Sequence, residues 1–328
     1  MPIRTVCYGL GPIGLGIARL ALQRNGIDVV GAIDIDPDKI GKDLGTLTGG
    51  APCGVVVVAD PAVAFATRPE IVLHATSSSL ARVLPQLKQA AEAGANVIST
   101  CEELSFPWTA QPQLAADLDA IARRSGVTLL GTGINPGYAM DALPLMLTAP
   151  CAEVRSVQVL RVVDAARRRG PLQYKVGAGL TPEAFAAKVA DGSVRHVGLP
   201  ESLHMLATGL GWVLERSEDR IEAVIAEQPI KTEFVSVEAG QVAGVRQIAR
   251  GFVKGEERIT LELRMYVGAR DAQDTIIIDS NPPIHTTIIG GFHGDVATAA
   301  LAINTIPAVV RTAPGLASMR DISLAHYW

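Results

Sequence analysis

The sequence predicts an α/β chain: a doubly wound parallel sheet, followed by a second, α+β domain with a mixed or antiparallel sheet. Three observations carry this. An apolar strand pattern near the amino terminus enters a triple-glycine turn and a helical pattern. Further short apolar runs then alternate with helical stretches to about residue 137. Beyond Met140 the apolar and polar residues alternate with period two.

The first element is Val6-Cys7-Tyr8-Gly9-Leu10-Gly11-Pro12-Ile13-Gly14, with Ile17, Leu20 and Ala21 on one helical face after it. In such a G-x-G-x-x-G turn the first glycine makes the tight bend, the second lets a pyrophosphate approach the main chain, and the third lets helix and strand pack closely. The helix amino terminus then faces the phosphates. Residues 28–34 read as a second strand ending in Asp34, twenty residues beyond Gly14, where an acceptor for a ribose 2′-hydroxyl belongs. A glycine turn and a solvated acidic loop of some other α/β protein is the competing reading. Strand, turn, helix, strand and acid in that order favour a Rossmann-type dinucleotide site with Gly9, Leu10, Gly11, Pro12, Ile13, Gly14 and Asp34 on the cofactor. Ile35 stands where an enzyme selecting the phosphorylated cofactor usually carries Arg, so Asp34 favours NAD; Lys39 keeps NADP open.

Composition excludes several classes. Of the residues 48% are hydrophobic and 19% charged, the net charge is −4 and the pI near 5.9. This is a globular chain without the basic surface of a nucleic-acid or anionic-membrane binder; Arg167, Arg168 and Arg169 form the only basic cluster. Cys7, Cys53, Cys101 and Cys151 lie far apart with no C-x-x-C pair, so neither a zinc site nor a disulfide framework is expected. No apolar run reaches the ~20 residues of a membrane span, and the first strand starts at once. The expectation is a soluble, cytoplasmic protein without a structural metal.

Residues 55–58 and 71–75 are the next strands. The second runs into Thr76-Ser77-Ser78-Ser79 before a helix over 80–93. Small residues at the carboxyl end of a parallel strand line the ligand crevice, which puts Ala75, Thr76 and Ser77 beside the nicotinamide ribose. A Ser/Thr helix cap is the alternative for Ser78 and Ser79. The strand over 96–100 ends at Cys101-Glu102-Glu103-Leu104-Ser105-Phe106-Pro107-Trp108. A carboxylate among Leu104, Phe106 and Trp108 suits a general base or acid, because an apolar pocket disfavours its ion. Adjacent acids on a turn cannot both point inward, and capping of the helix over 113–124 by exposed acids is the competing reading. After the strand over 127–130, Asn135-Pro136-Gly137 forms a turn, and Asn135 either binds the nicotinamide carboxamide or a substrate, or only makes the turn.

Period-two alternation over 157–162 and 258–265 marks strands with one covered and one wet face. Residues 222–235 and 274–278 read as further strands, and 182–189 and 203–214 as helices. Asp295 is expected to cap a helix over 296–304 that returns across the first domain. The organisation is therefore a dinucleotide-binding domain over 1–137, a substrate and dimerisation domain over 138–294, and a helical segment over 295–328 returning to the first.

With these residues in hand, the sequence resembles the NAD(P)-dependent amine dehydrogenases related to 2,4-diaminopentanoate dehydrogenase, whose architecture is similar to that of dihydrodipicolinate reductase. The stretches that carry the resemblance are 9–14, 99–107 (STCEELSFP), 131–138 (GTGINPGY), 172–180 (LQYKVGAGL) and 294–307 (GDVATAALAINTIP). It implies reversible oxidative deamination of an amine to a ketone or aldehyde, with ammonia released and hydride passing to the cofactor. It also implies an active-site glutamate falling on Glu102, with Glu103 the second choice. Glu103, Trp108, Met140 and Tyr174 are the expected substrate contacts, with Met140, Trp108 and Tyr174 excluding water; a homodimer is expected. Lys175 reads either as a second contact or as a solvated residue on a surface strand. The competing functions are a carbonyl or imine reductase of the same architecture, an acylating semialdehyde dehydrogenase using Cys101, and a non-enzymatic NAD-sensing module.

Overall fold

The structure, a computed structural model, describes residues 1–328. The chain forms two compact units, Met1–Tyr138 with His293–Trp328, and Ala139–Phe292.

The first unit begins β1 (Ile3–Tyr8), α1 (Pro12–Gln23), β2 (Ile27–Ile33), α2 (Leu44–Leu47), β3 (Val57–Val58), α3 (Pro61–Phe65) and β4 (Ile71–His74). It continues through α4 (Leu80–Glu92), β5 (Asn96–Ser99), a 3₁₀ turn at Glu102–Leu104, α5 (Pro107–Ala110), α6 (Pro112–Ser125) and β6 (Thr128–Gly131). Helices cover both faces of the sheet these strands build, so its central strands are apolar throughout rather than alternating. Val6, Val72, Val97 and Leu129 form one fully buried row across four strands.

In the second unit come α7 (Ala142–Leu147), β7 (Glu153–Asp164), α8 (Gly170–Lys175), α9 (Pro182–Ala190) and α10 (Leu199–Gly209). Then follow β8 (Arg216–Ile225), β9 (Ile230–Lys231), β10 (Ser236–Val237), β11 (Val242–Val253), β12 (Glu256–Tyr266), β13 (Gln273–Asn281) and β14 (Ile284–Ile289). The main sheet has the order β14-β13-β7-β12-β11-β8; only β7 and β12 pair in parallel. On β12, Ile259, Leu261, Leu263 and Met265 are buried while Thr260, Glu262 and Arg264 alternate on the wetter face. Arg161 and Asp274, both buried, pair at 2.6 Å, and each also bonds Phe292, through its carbonyl and its N–H, which fixes the last residue of the unit.

The chain then rejoins the first unit with α11 (Gly294–Asn304), α12 (Ile306–Arg311) and β15 (Gly315–Ala317). β15 pairs in parallel with β6 and completes a seven-stranded sheet, β15-β6-β5-β4-β1-β2-β3, all parallel. The order reverses between β1 and β4, which makes their carboxyl ends the switch point where such sheets bind ligands.

Several expected elements differ. The strand foreseen over 222–235 starts earlier and stops at Ile225, because Pro229 supplies no N–H to a ladder and the chain folds back into the β9–β10 pair. Its first half, an edge strand, lacks the buried alternation that signals a strand. The helix foreseen over 203–214 starts at Leu199, with Pro200 in its first turn, and ends before Gly211 at φ +70°. Residues 173–175 lie on α8 rather than on a strand. His293, not Asp295, occupies the cap position of α11, and Asp295 sits in the first turn, where its charge still favours the helix dipole.

Candidate active site

Gly9 ends β1 with φ +87°, and a Cβ there would lie 2.5 Å from the carbonyl oxygen of Ala75. A Cβ on Gly14 would lie 1.8 Å from the carbonyl oxygen of Gly9. These two glycines are therefore required by the packing of α1 against the ends of β1 and β4. Gly11, the helix cap, is different: nothing lies within 4 Å of where its Cβ would be. That open space over a helix amino terminus, with Pro12 in the first turn, is what close approach by a phosphate needs. Leu10 and Ile13 complete the turn, Leu10 fully buried and donating its N–H to Asp34 Oδ2 at 2.6 Å.

Asp34 follows β2 and is buried, its other oxygen accepting the N–H of Asp36 at 2.8 Å. Each oxygen keeps further lone pairs for a hydroxyl donor. Lys39 is paired with Asp36 at 2.9 Å and lies 3.6 Å from Asp34. The Asp36 hydrogen bond, more than the charge of Asp34, holds the Lys39 ammonium's pKa above its ordinary value. Ile35 projects into solvent.

Beyond β4, the Ala75 N–H donates to Tyr8 O at 2.8 Å, Thr76 is exposed, and Ser77 accepts the N–H of Ser79. Asn135 lies after β6, on the same sheet edge. It is buried, and neither its amide oxygen nor its amide nitrogen has a hydrogen-bond partner; the Thr132 hydroxyl nearby in the chain is orphaned too. Buried amides are almost always satisfied, so the chemistry of these orphans fits a polar partner such as a carboxamide. Asn135→Leu is expected to raise stability by about 1–3 kcal/mol, by removing the unpaired amide, and to weaken NADH binding at least tenfold. Thermal unfolding and NADH fluorescence titration check both.

The acidic loop resolves into two roles. Glu103 Oε2 accepts the Leu80 N–H at 2.7 Å and the Gln111 amide at 2.8 Å. It thereby caps α4, whose own Ser79 provides no side-chain cap, rather than the helix over 113–124. Glu103, expected as a substrate contact, thus has its Oε2 committed to the α4 amino terminus and Gln111. Glu102 is half-buried in the 3₁₀ turn at the carboxyl end of β5. Gly131 pins that turn, since a Cβ on it would lie 2.5 Å from the Leu104 backbone. Leu104 and Phe106 are buried, and Phe106 stacks at a tilt on Trp108, ring centroids 5.0 Å apart. Trp108 itself borders a cavity of about 630 Å³ at the β15 edge, lined also by Arg123, Arg311, Leu316 and Arg320. No residue of the glycine turn lines that cavity, nor does Glu102. Cys101 is buried and donates its thiol to Ser78 O at 3.2 Å. Burial, reinforced by Glu102 and Glu103, pushes it up to about 12, which disfavours the thiolate an acylating dehydrogenase needs.

Met140 and Tyr174 belong to the second unit. Met140 is fully buried there, and Tyr174 is 61% exposed with its hydroxyl donating to Phe234 O at 2.7 Å.

Sequence reasoning missed His74. The ring is buried at the end of β4, with Nδ1 2.8 Å from Ser99 Oγ and Nε2 2.8 Å from Gln86 Oε1 and 2.9 Å from Thr76 Oγ1. Burial pushes its pKa down to about 4. The unfolded chain therefore takes up this proton near pH 6.5 and the folded chain only near 4, so folding loses stability as pH falls across that window. The loss approaches about 3 kcal/mol. Urea titrations at pH 7 and pH 4.5 are expected to show it, and His74→Phe to remove that share. The sequence shows only that two strands each end in a polar residue; the register that pairs His74 with Ser99 is a property of the fold.

Comparisons with known proteins identify the family. Residues 138–328 match the family model described as the 2,4-diaminopentanoate dehydrogenase C-terminal domain. The chain is 31% identical to the 2,4-diaminopentanoate dehydrogenase of Acetoanaerobium sticklandii, over 98% of this chain and 93% of that one. It is 24% identical to an amine dehydrogenase of Streptomyces virginiae, over 98% and 96% of the two chains. The solved amine dehydrogenase from Mycobacterium smegmatis superimposes with a TM-score of 0.88 at 26% identity, covering 100% of this chain and 98% of that one. The chain belongs to the 2,4-diaminopentanoate dehydrogenase family of NAD(P)-dependent amine dehydrogenases.

Proposed function

We propose that this oxidoreductase interconverts a small amine with its ketone or aldehyde, releasing or consuming ammonia, with Glu102 as the active-site carboxylate. One observation supports the assignment: both acids lie half-buried at the carboxyl end of β5, and the Oε2 of Glu103 caps α4, which leaves Glu102 as the better candidate for the chemistry. Gly9–Gly14, Asp34, Ala75, Thr76, Ser77 and Asn135 would hold NAD, whose nicotinamide accepts or donates the hydride. The open space at Gly11 and the orphaned Asn135 amide support that fit. NAD is preferred because the Asp34 carboxylate repels a 2′-phosphate; Lys39, paired with Asp36, gives NADP partial access.

In the aminating direction Glu102 takes a proton from ammonium, and the freed ammonia attacks the carbonyl carbon, one of its protons passing from nitrogen to the alkoxide to give a carbinolamine. The same proton returns to the departing hydroxyl, so water leaves and an iminium remains. The carboxylate, again an anion, then stabilises that cation. One group serves all three steps because its charge is complementary at each.

We further propose a cytoplasmic homodimer. No helix is long and apolar enough to cross a membrane. The face of the second unit's sheet bearing Glu262 carries Leu160, Ile277 and Ile289, the last two 40% and 93% exposed, beside the Arg246–Glu262–Arg264 ion pairs. Such an apolar and charge-paired surface suits a second copy. Sedimentation velocity showing a monomer at micromolar concentration would remove this.

The test of function is a panel of ketones and aldehydes with excess ammonium, following NADH and NADPH separately. Consumption of NADH that requires ammonium supports the reading. Consumption without ammonium assigns a carbonyl reductase, and binding of NADH without turnover assigns a sensor.

A further inference from the structure

The loop carrying Thr76 and the loop carrying Glu102 leave adjacent parallel strands, β4 and β5, and one buried ring touches both exits. Ser99, fully buried at the end of β5, receives the Cys101 N–H at 3.1 Å. Because Gln86 Oε1 only accepts, the ring proton belongs on Nε2, and the Ser99 hydroxyl donates to His74 Nδ1 at 2.8 Å. Nε2 donates to Gln86 Oε1 at 2.8 Å and faces Thr76 Oγ1 at 2.9 Å. The Thr76 hydroxyl donates to the same Gln86 oxygen at 2.7 Å. Every polar atom of the ring is thus spent, one nitrogen on each loop, and Tyr8 holds the ring edge-on with centroids 5.4 Å apart. Beyond the ring, Ser78 O accepts both the Cys101 thiol and the Glu103 N–H, so the two loops are also joined at their far ends.

A buried network of this kind fixes one geometry, because any member displaced leaves its partners unsatisfied in a low-dielectric interior. Surface hydroxyls such as Thr76 are ordinarily free to rotate; this one has its rotamer chosen for it. The Cys101 N–H bond likewise sets the direction in which the chain enters Glu102.

We propose that His74 is a positioning residue that aligns the cofactor-side Thr76 loop with the Glu102 loop, Nε2 acting on the first and Nδ1, through Ser99 and the Cys101 N–H, on the second. This rests on the roles assigned above to Thr76 and Glu102. The two nitrogens give it a test that a merely structural histidine would not pass. An asparagine amide reproduces the Nδ1 position and a glutamine amide the Nε2 position. His74→Asn is expected to keep the Ser99 bond and release Thr76, raising the Kd for NADH about fivefold to tenfold with kcat within twofold. His74→Gln is expected to do the reverse, lowering kcat about tenfold with the Kd within twofold. Thr76→Val should reproduce the first pattern and Ser99→Ala the second. All four are followed by NADH fluorescence, ammonium-dependent NADH oxidation and thermal unfolding. Equal losses of kcat and affinity in both His74 variants, or a fall in Tm with neither constant changed, would overturn the proposal. A wild-type protein that binds NADH without consuming it with ammonium would instead remove the functional reading, and the Kd split between His74→Asn and His74→Gln would still decide this one.

Discussion

Glu102→Gln is expected to lower kcat for ammonium-dependent NADH oxidation by about 10²–10⁴-fold, with the Kd for NADH within a few-fold of wild type. The amide has nearly the shape of the acid and keeps its hydrogen-bonding reach, so the loop should hold its conformation. It can neither take the ammonium proton nor face an iminium as an anion. Both deficits fall on the chemical step, which places the loss in kcat. Glu103→Gln is the control with the opposite signature. Its carboxylate serves the Leu80 N–H and the Gln111 amide, so the expected result is a lower Tm with turnover reduced far less. Steady-state kinetics of the pair, read beside their melting curves, separate catalyst from cap. Turnover retained in Glu102→Gln and lost in Glu103→Gln would exchange the two assignments.

Gly14→Ala is expected to abolish measurable NADH binding and to cost about 3 kcal/mol or more of stability. The added methyl would lie 1.8 Å from Gly9 O, a backbone atom whose own residue is fixed by φ +87° and by contact with Ala75. No side chain can rotate away to accept it. Either α1 lifts from the ends of β1 and β4 or the turn opens, and the N–H groups lose their common target. Gly11→Ala, where the Cβ meets nothing within 4 Å, is expected to melt like wild type and still bind NADH at least tenfold more weakly. Unfolding midpoints and fluorescence titrations on the two variants distinguish a glycine needed for packing from one needed for a ligand.

The sequence was most informative where one physical rule dominates. The glycine turn, the acid ending β2 and the apolar runs of a sheet covered on both faces leave patterns that do not depend on distant partners. Period-two alternation likewise disclosed β7 and β12. Legibility failed where tertiary neighbours decide. β11 is paired on both sides, but Gly244, Gln247 and Gly251 interrupt its pattern, and β15 has only three residues to show. Glu102 and Glu103 are identical in type, and only the position of the α4 amino terminus, twenty-odd residues earlier in the chain, tells them apart. Asn135 read equally as a turn former and as a ligand; its burial without a partner is a property of the fold alone. His74 escaped because one histidine ending an apolar strand says nothing until its register partner is known.

The strand that completes the seven-stranded sheet, β15, is made of residues 315–317, and it docks on a strand that ends at residue 131. Between them lies the whole of the other unit. During synthesis a nascent chain therefore carries an unfinished sheet edge at β6 while about 180 further residues leave the ribosome, at roughly 5–20 residues per second. The inserted unit is entirely synthesised by then and is free to fold first, whereas the nucleotide-binding sheet closes only once β15 has emerged. A truncation that removes residues 315–317 would expose that edge permanently, an aggregation hazard.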